Sequence, residues 1–153
     1  MAELSEGQKA PDFTAKDQNG KNVSLSDFAG KELILYFYPK DDTPGCTAEA
    51  CSFRDSYQSL LDSGFEVVGV STDDEKSHQK FITKYNLPFA LISDTEKNIV
   101  ESYGVWVEKN MYGKKYMGIA RNTFIIDKEG MIKKIIKKVD TVNSSAQIID
   151  LLK

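Results

Sequence analysis

Apolar positions along the chain switch between the spacing of strands and the spacing of helices. Residues 32–38 (ELILYFY) form a continuous apolar, β-branched and aromatic run, which is typical of a buried strand. Residues 46–61 instead carry apolar side chains at intervals of two to four, which suits one face of an amphipathic helix ending at Ser63 and Gly64. The pattern therefore predicts a strand that leads through a tight turn into a helix.

The alternation continues towards the C-terminus. We predict strands at residues 65–71, 90–92 and from 121 or 122 to 127, and helices from 73 or 74 to about 85, at 97–103 and from 144 or 145 onward. Residues 131–139 combine helical spacing with β-branched content, and the turn at 127–130 before them favours a hairpin strand. Alternating strands and helices predict a mostly parallel sheet with helices on both faces, in which strand 65–71 lies beside strand 32–38.

Composition and charge narrow the class of protein. A chain of 153 residues that is 41% hydrophobic predicts a single globular domain over residues 1–153 with a core that needs no metal or disulfide. The net charge of −3 gives no reason to expect nucleic acid, and the lysines at 133, 134, 137 and 138 alternate with apolar residues as on a solvated face. Because no segment reaches about 18 apolar residues and the start lacks a signal-peptide pattern, we expect a soluble, cytoplasmic protein that binds no membrane.

The redox chemistry of the chain is confined to its only two cysteines, Cys46 and Cys51. Thr43 is placed to be the helix N-cap and Pro44 the first helical residue, so Cys46 falls in the first turn. Unpaired N–H groups and the helix dipole there favour a thiolate, the reactive form of cysteine. A small buried hydrophobe is the alternative role for such a cysteine, but thiols in a reducing compartment are more often catalytic than structural.

The pattern Pro39-x-x-x-Thr43-x-x-Cys46 resembles the active-site signature of the peroxiredoxins, thiol peroxidases with a thioredoxin-like fold. With Cys51 added, the segment FYPKDDTPGCTAEAC resembles the bacterioferritin comigratory protein or Q-type branch. The resemblance also covers GQKAPDF at residues 7–13, YGVW at 103–106 and RNTF at 121–124. It implies an α/β, thioredoxin-like fold with a central mixed β-sheet flanked by helices, and it decides the ambiguous residues 131–139 as a strand.

The resemblance also implies roles for individual residues. Cys46 matches the peroxidatic nucleophile, the Thr43 hydroxyl matches the group that bonds thiolate and peroxide, and Pro39 matches the residue that shields the site from water. Arg121 matches the active-site arginine, a notable residue in a chain with 18 lysines and only two arginines. Glu49 is expected to orient arginine, the N–H groups of Gly45 and Cys46 to stabilise charge, and Tyr38 to support the site. The second arginine, Arg54, is expected in a structural ion pair with Glu49 or Asp55.

The implied activity is that of a thioredoxin-dependent peroxidase in antioxidant defence, which reduces hydrogen peroxide and organic hydroperoxides. Cys46 becomes a sulfenic acid, Cys51 resolves it as an intramolecular disulfide, and thioredoxin or a similar dithiol restores both thiols. This cycle needs no cofactor or metal, and a monomer suffices for it. On a regular helix the two Cα atoms lie about 8.7 Å apart, whereas a disulfide needs them within about 7 Å. We therefore expect residues 43–54 to unwind on oxidation.

Two other classes of protein fit the residues less well. A cysteine hydrolase or a zinc site would need more ligands or a nearby base, and the only histidine, His78, lies in the polar stretch DEKSHQK, where we expect a solvated side chain. A disulfide reductase usually relies on a Cys-x-x-Cys pair, which is absent. A non-enzymatic thioredoxin-like module would leave Thr43 and Arg121 without an evident role, although fold alone does not exclude it.

Overall fold

The structure, a computed structural model, describes residues 4–152. Its strands are β1 (Thr14–Lys16), β2 (Asn22–Ser24), β3 (Glu32–Phe37), β4 (Phe65–Ser71), β5 (Ala90–Ser93), β6 (Trp106–Met111), β7 (Lys114–Ile119), β8 (Thr123–Ile126) and β9 (Ile132–Ile136). Its helices are α1 (Pro44–Asp62), α2 (Glu75–Tyr85), α3 (Asn98–Ser102) and α4 (Ser144–Leu151), with a short 3-10 turn at Leu25–Phe28. Across residues 4–152, none of these helices has both the length and the apolar character needed to cross a membrane.

Five strands form the central sheet in the order β5-β4-β3-β8-β9. β3 runs parallel to β4, and β4 to β5, whereas β8 is antiparallel to both β3 and β9. The predicted mixed sheet is confirmed, as is the pairing of strand 65–71 with the first core strand. The ambiguous segment at 131–139 contains β9, which covers only Ile132–Ile136. The strand prediction is confirmed for this part, so the turn before it and its β-branched residues outweigh its helical spacing.

The sheet is buried on both faces, which explains why β3 reads as a continuous apolar run. Leu33, Leu35 and Phe37 point into one core cluster, which α3 completes with Ile99 and Val100. The intervening side chains enter a second cluster together with residues of three helices, namely Ile34, Tyr36, Phe53 of α1, Phe81 of α2 and Ile148 of α4. Because Cys46 belongs to this second cluster, the packing of α1 on the sheet sets the position of the thiol.

The hairpin of β6 and β7 was missed by the sequence analysis, which assigned no element to residues 106–119. Its two strands pair antiparallel around a two-residue turn at Tyr112 and Gly113. Both turn residues have positive φ, 53° and 82°, as a hairpin turn that matches strand twist requires. Such a turn is usually indicated by Asn-Gly or Asp-Gly in the sequence. Here Tyr112 replaces the Asn or Asp, so the sequence carried no turn signal. The shorter β1–β2 hairpin was missed as well, because three-residue strands carry too little pattern.

Candidate active site

Cys46 lies in the first turn of α1, directly after the loop that follows β3. The predicted N-terminus is confirmed, with Thr43 as N-cap and Pro44 as the first helical residue. The first helical hydrogen bond of this end runs from the Thr47 N–H to the Thr43 carbonyl, so the N–H groups of Gly45 and Cys46 have no partner within the helix. Both cysteines are free thiols, and Cys46 is only 1% exposed whereas Cys51 is half-buried.

Arg121 joins the thiol to a buried carboxylate. It lies two residues before β8, and its Nη2 donates to the Cys46 sulfur over 3.3 Å. Its Nη1 donates to Glu49 Oε1 over 2.8 Å, and Glu49 itself has a side chain with no exposed surface. The structure thus brings together Cys46, Glu49 and Arg121, three residues that the sequence analysis singled out. Cys46 and Arg121 are 75 residues apart in the chain.

The guanidinium of Arg121 packs against the backbone at Gly45. A Cβ at this position would lie 3.1 Å from Arg121 Nη2 and 3.7 Å from its Cζ. The missing side chain therefore gives the cation access to the start of α1. There it lies beside the unpaired N–H groups, so the charge of Arg121 and the positive end of the helix dipole both favour negative charge at the Cys46 sulfur.

The electrostatics of the Glu49–Arg121 pair are set by burial. Burial raises the pKa of Glu49 to about 7, against the opposing charge and hydrogen bond of Arg121. For Arg121, burial acts to lower the pKa, but the charges and hydrogen bonds of Cys46 and Glu49 prevail and raise it. The second carboxylate oxygen, Glu49 Oε2, is buried without a hydrogen-bond partner. Glu49 therefore exchanges a proton near neutral pH, while Arg121 stays charged.

The remaining residues implied by the resemblance lie around the loop before α1. The Thr43 hydroxyl donates to the Lys40 carbonyl over 2.9 Å and makes no capping bond to the helix. Pro39 is half-buried. Tyr38 is fully buried, and its hydroxyl donates to Asp41 Oδ1 over 2.6 Å. Tyr38 thus supports the loop from inside the protein.

Arg54 pairs with Asp55, which was one of the two expected partners. Its Nε lies 2.9 Å from Asp55 Oδ1, and its Nη1 donates to the Tyr85 carbonyl over 2.9 Å. The other expected partner, Glu49, is engaged by Arg121 instead. Arg54 therefore ties α1 to the end of α2, about two helical turns beyond Cys46.

The expectation that His78 is solvated was wrong, since its side chain has no exposed surface. His78 lies on the inner face of α2, where its Nδ1 is 2.7 Å from Asp41 Oδ2. Its sequence neighbours are polar, but the partner lies 37 residues upstream, so local sequence carried no signal for this contact.

Lys109 of β6 is a second residue near the site that sequence reasoning did not find. Burial and the charge of Arg121 lower the pKa of Lys109, while the charge of Cys46 opposes them. Its stem lies over Gly118, where a Cβ would meet Lys109 Cδ at 3.3 Å. The hairpin of β6 and β7 therefore brings a second cation, after Arg121, into electrostatic range of the Cys46 thiol. Sequence reasoning missed Lys109 because it did not predict this hairpin.

Comparison with known proteins gives concordant results. Residues 6–135 match the AhpC/TSA family. Peroxiredoxin Bcp of Bacillus subtilis is 50% identical over 147 residues, which cover 96% of this chain and 94% of the relative. Among solved structures, a cysteine-to-serine mutant of PrxQ from Xylella fastidiosa superposes with a TM-score of 0.92 at 29% identity, over 99% of this chain and 97% of that one.

A further solved structure is the bacterioferritin comigratory protein of Xanthomonas campestris, which was studied for its alkyl peroxide reduction activity. It superposes with a TM-score of 0.85 at 35% identity, over 92% of this chain and 89% of that one. Similarity in sequence and in fold thus extends over nearly the whole chain and includes the segment around Cys46.

Proposed function

Because this chain belongs to the AhpC/TSA family, as a thioredoxin-fold peroxiredoxin of the Bcp and Q type, it is a thiol-dependent peroxidase, and we propose that Cys46 is its reactive thiol. The single observation that carries the assignment is the hydrogen bond of 3.3 Å from Arg121 Nη2 to the Cys46 sulfur. A guanidinium at that distance favours the thiolate, and the start of α1 adds its dipole on the same side. Among the described hydrogen bonds, none joins a cation to the Cys51 sulfur, which supports Cys46 as the thiol that attacks the peroxide.

The first step is attack of the Cys46 thiolate on the terminal oxygen of a hydroperoxide. A sulfur–oxygen bond forms, the O–O bond breaks, and the leaving alkoxide or hydroxide takes up a proton to give an alcohol or water. Cysteine sulfur is oxidised to sulfenic acid, the reversible first stage of thiol oxidation. Negative charge moves from sulfur to the leaving oxygen, so donors fixed around both atoms stabilise the transition state.

Three groups supply those donors at the mouth of the site. They are the guanidinium of Arg121 and the free N–H groups of Gly45 and Cys46 at the helix start. Thr43 acts as an acceptor and not as a donor, because its hydroxyl hydrogen already bonds the Lys40 carbonyl. The lone pairs of the hydroxyl oxygen then accept a hydrogen bond from the O–H of the hydroperoxide, and Pro39 covers the loop side of the site.

Cys51 resolves the sulfenic acid by forming a Cys46–Cys51 disulfide with release of water. Both thiols lie on α1, where regular geometry keeps their Cα atoms about 8.7 Å apart. The helix must therefore open over residues 43–54 before the bond can form, since a disulfide needs the two Cα atoms within about 7 Å. An external dithiol, for which we propose thioredoxin, then exchanges with the disulfide and restores both thiols. Sulfur carries every electron of this cycle, so it runs without cofactor or metal.

The substrates we propose are hydrogen peroxide and organic hydroperoxides, because the site engages the O–O group and the relative from Xanthomonas campestris was studied for alkyl peroxide reduction.

We further propose that residues 1–153 act as a single domain and as a monomer in the cytoplasm. Two observations support this part of the proposal. Both core clusters lie on opposite faces of one sheet, and both reacting thiols lie on the same helix.

The test is peroxide consumption by the purified protein with a thioredoxin system, beside mass spectrometry of the non-reduced digest after one equivalent of peroxide. We expect turnover and a Cys46–Cys51 linkage, with no turnover for Cys46→Ser. A variant Cys51→Ser should still react once and stop as an oxidised Cys46. Turnover by Cys46→Ser would refute the assignment of the nucleophile, and a free Cys51 in the oxidised wild-type protein would refute its resolving role.

A further inference from the structure

A buried network of polar side chains lies directly beneath the loop that carries the active site. Its centre is Asp41, only 8% exposed and two residues before Thr43. The Asp41 carboxylate accepts three hydrogen bonds through its two oxygens, from the Tyr38 hydroxyl at 2.6 Å, the Ser77 hydroxyl at 2.8 Å and His78 Nδ1 at 2.7 Å. The network thus connects the end of β3 with the first turns of α2.

Hydrogen-bond geometry assigns the charge of His78. Its Nε2 lies 3.0 Å from the Ile92 carbonyl, which is only an acceptor, so Nε2 carries a proton. Its Nδ1 lies 2.7 Å from Asp41 Oδ2 and 3.5 Å from the Tyr38 hydroxyl. An ionised carboxylate can only accept, and the Tyr38 hydroxyl hydrogen is directed at Asp41 Oδ1, so Nδ1 also carries a proton. An imidazole protonated on both nitrogens is an imidazolium cation, and Asp41 and His78 therefore form a buried ion pair.

The surroundings of the ring agree with this assignment. Burial acts to lower the pKa of His78, but the hydrogen bond and charge of Asp41, the Ile92 carbonyl and the charge of Asp73 raise it above its ordinary value of 6.5. Asp41, Asp73 and His78 could also be taken for a metal site, since their ligand atoms lie within 4.8 Å of one another. With both ring nitrogens donating to oxygen, His78 has no lone pair left for a metal ion.

The network also fixes the backbone of the loop. The Asp41 N–H donates to Asp73 Oδ2 over 2.8 Å, and Asp73 in turn accepts from the Ser71 hydroxyl at the end of β4. The side chain of Asp41 is thus held by Tyr38, Ser77 and His78, and its main chain is held by Asp73. Thr43 and the first turn of α1 follow within five residues, so their position depends on where Asp41 is held.

We propose that the Asp41–His78 ion pair positions the active-site loop for the peroxidase reaction. It holds residues 39–43 so that Thr43 and the N–H groups of Gly45 and Cys46 are placed to hydrogen-bond the hydroperoxide. The proposal rests on the function proposed above. Both members of the pair lie outside residues 43–54, the segment that must open for disulfide formation. It therefore keeps the loop in place while α1 unwinds and guides the helix back after reduction.

The charge of the pair is testable in the wild-type protein without any assay of activity. His78 is the only histidine of the chain, so the side-chain ¹⁵N and ¹³C signals of histidine in a labelled sample belong to it alone. We expect imidazolium signals at pH 7 in the reduced protein, with titration above the value of free histidine, and the same signals in Cys46→Ser. A neutral ring at pH 7 would overturn the proposal even if peroxide turnover is normal.

The positioning role is tested with Asp41→Asn and a matched control, Asp94→Asn. Asp94 is also a buried carboxylate, 4% exposed, but it caps α3 through the N–H groups of Ile99 and Val100 on the other face of the sheet. We expect Asp41→Asn to slow the reaction of Cys46 with peroxide at least about tenfold, as a small misplacement of reacting groups can, while Asp94→Asn leaves that rate unchanged. Alkylation of Cys46 by iodoacetamide should change far less than the peroxide rate, since this reagent does not use the positioned donors.

The comparison also separates positioning from simple loss of stability. Rates are measured in buffer where both variants show native circular dichroism, and stability is measured in urea. If both variants lose stability and neither slows the peroxide step, the pair is structural and the proposal fails. If Asp41→Asn slows alkylation and peroxide equally, the loop is disrupted in general and the proposal fails too. Should Asp41→Asn not fold, His78→Asn takes its place in the same comparison, and the wild-type histidine signals still decide the charge.

Discussion

Replacement of Glu49 by glutamine should change how the stability of the protein depends on pH. The Glu49 side chain has no exposed surface, and only one of its oxygens is bonded, to Arg121 at 2.8 Å. Burial raises the pKa of this carboxyl from an ordinary 4.5 to about 7, although Arg121 opposes the rise. Glutamine has a similar shape and can accept the same hydrogen bond, but it does not ionise.

The magnitude follows from linkage between proton binding and folding. Each unit of pKa difference between the folded and unfolded states is worth about 1.4 kcal/mol. The proton on Glu49 therefore adds about 3 kcal/mol to the free energy of unfolding at low pH. The folded protein holds the Glu49 proton more tightly than the unfolded chain does. The free energy of unfolding should therefore fall as the pH rises from 4.5 through about 7, and Glu49→Gln should lack this fall.

The assay is urea unfolding of the reduced wild-type and Glu49→Gln proteins at about pH 5 and about pH 8. We expect the stability of the variant relative to wild type to increase by up to about 3 kcal/mol between the two conditions. Titration of His78 occurs in both proteins and cancels in the difference. Glu129, whose side chain is exposed, supplies the control, because Glu129→Gln removes the same kind of charge without changing a buried ion pair. A difference for Glu49→Gln that does not vary with pH would refute the reasoning.

Three further predictions concern the same helix. Gly45→Ala should slow the peroxide step about tenfold, because the new Cβ would lie 3.1 Å from Arg121 Nη2 and the guanidinium must shift away from it; an unchanged stopped-flow rate would contradict this. Phe53→Ala should lower the free energy of unfolding by about 3–5 kcal/mol, since this ring is fully buried, as urea unfolding will measure. Amide exchange in residues 43–54 should be faster in the disulfide form than in the reduced form, and equally slow exchange in both would contradict unwinding.

Local sequence was sufficient to predict the elements that carry a long periodic pattern. The apolar run of β3 and the amphipathic pattern of α1 each extend over several residues and point to one structure. Thr43 and Pro44 also fixed the start of α1 to the residue, because capping positions have strong residue preferences. The start of α2 was predicted to within one residue, since Asp74 caps it by accepting from the Ser77 N–H.

Features that depend on distant partners could not be predicted in this way. Polar neighbours in the sequence indicated an exposed His78, yet an ion pair with Asp41 allows the ring to be fully buried, because a charged side chain inside a protein needs a partner that local sequence does not show. The rise in the pKa of Glu49 likewise comes from the sheet and helices that exclude water around it. Arg121 was found only because arginine is rare in this chain and because a known motif matched it.

The loop between β3 and α1 shows how a structure limits the ways in which its gene can change. Adjacent carboxylates in this loop have opposite surroundings, with Asp41 turned inward and Asp42 turned outward to Lys84 and Tyr85. Asp42 also holds a left-handed backbone conformation, with φ of 55°. Insertion or deletion of one codon here would shift both carboxylates out of place at once. We therefore expect this loop to diverge by substitution, and changes of length to accumulate in other loops such as the exposed tip of the β6–β7 hairpin.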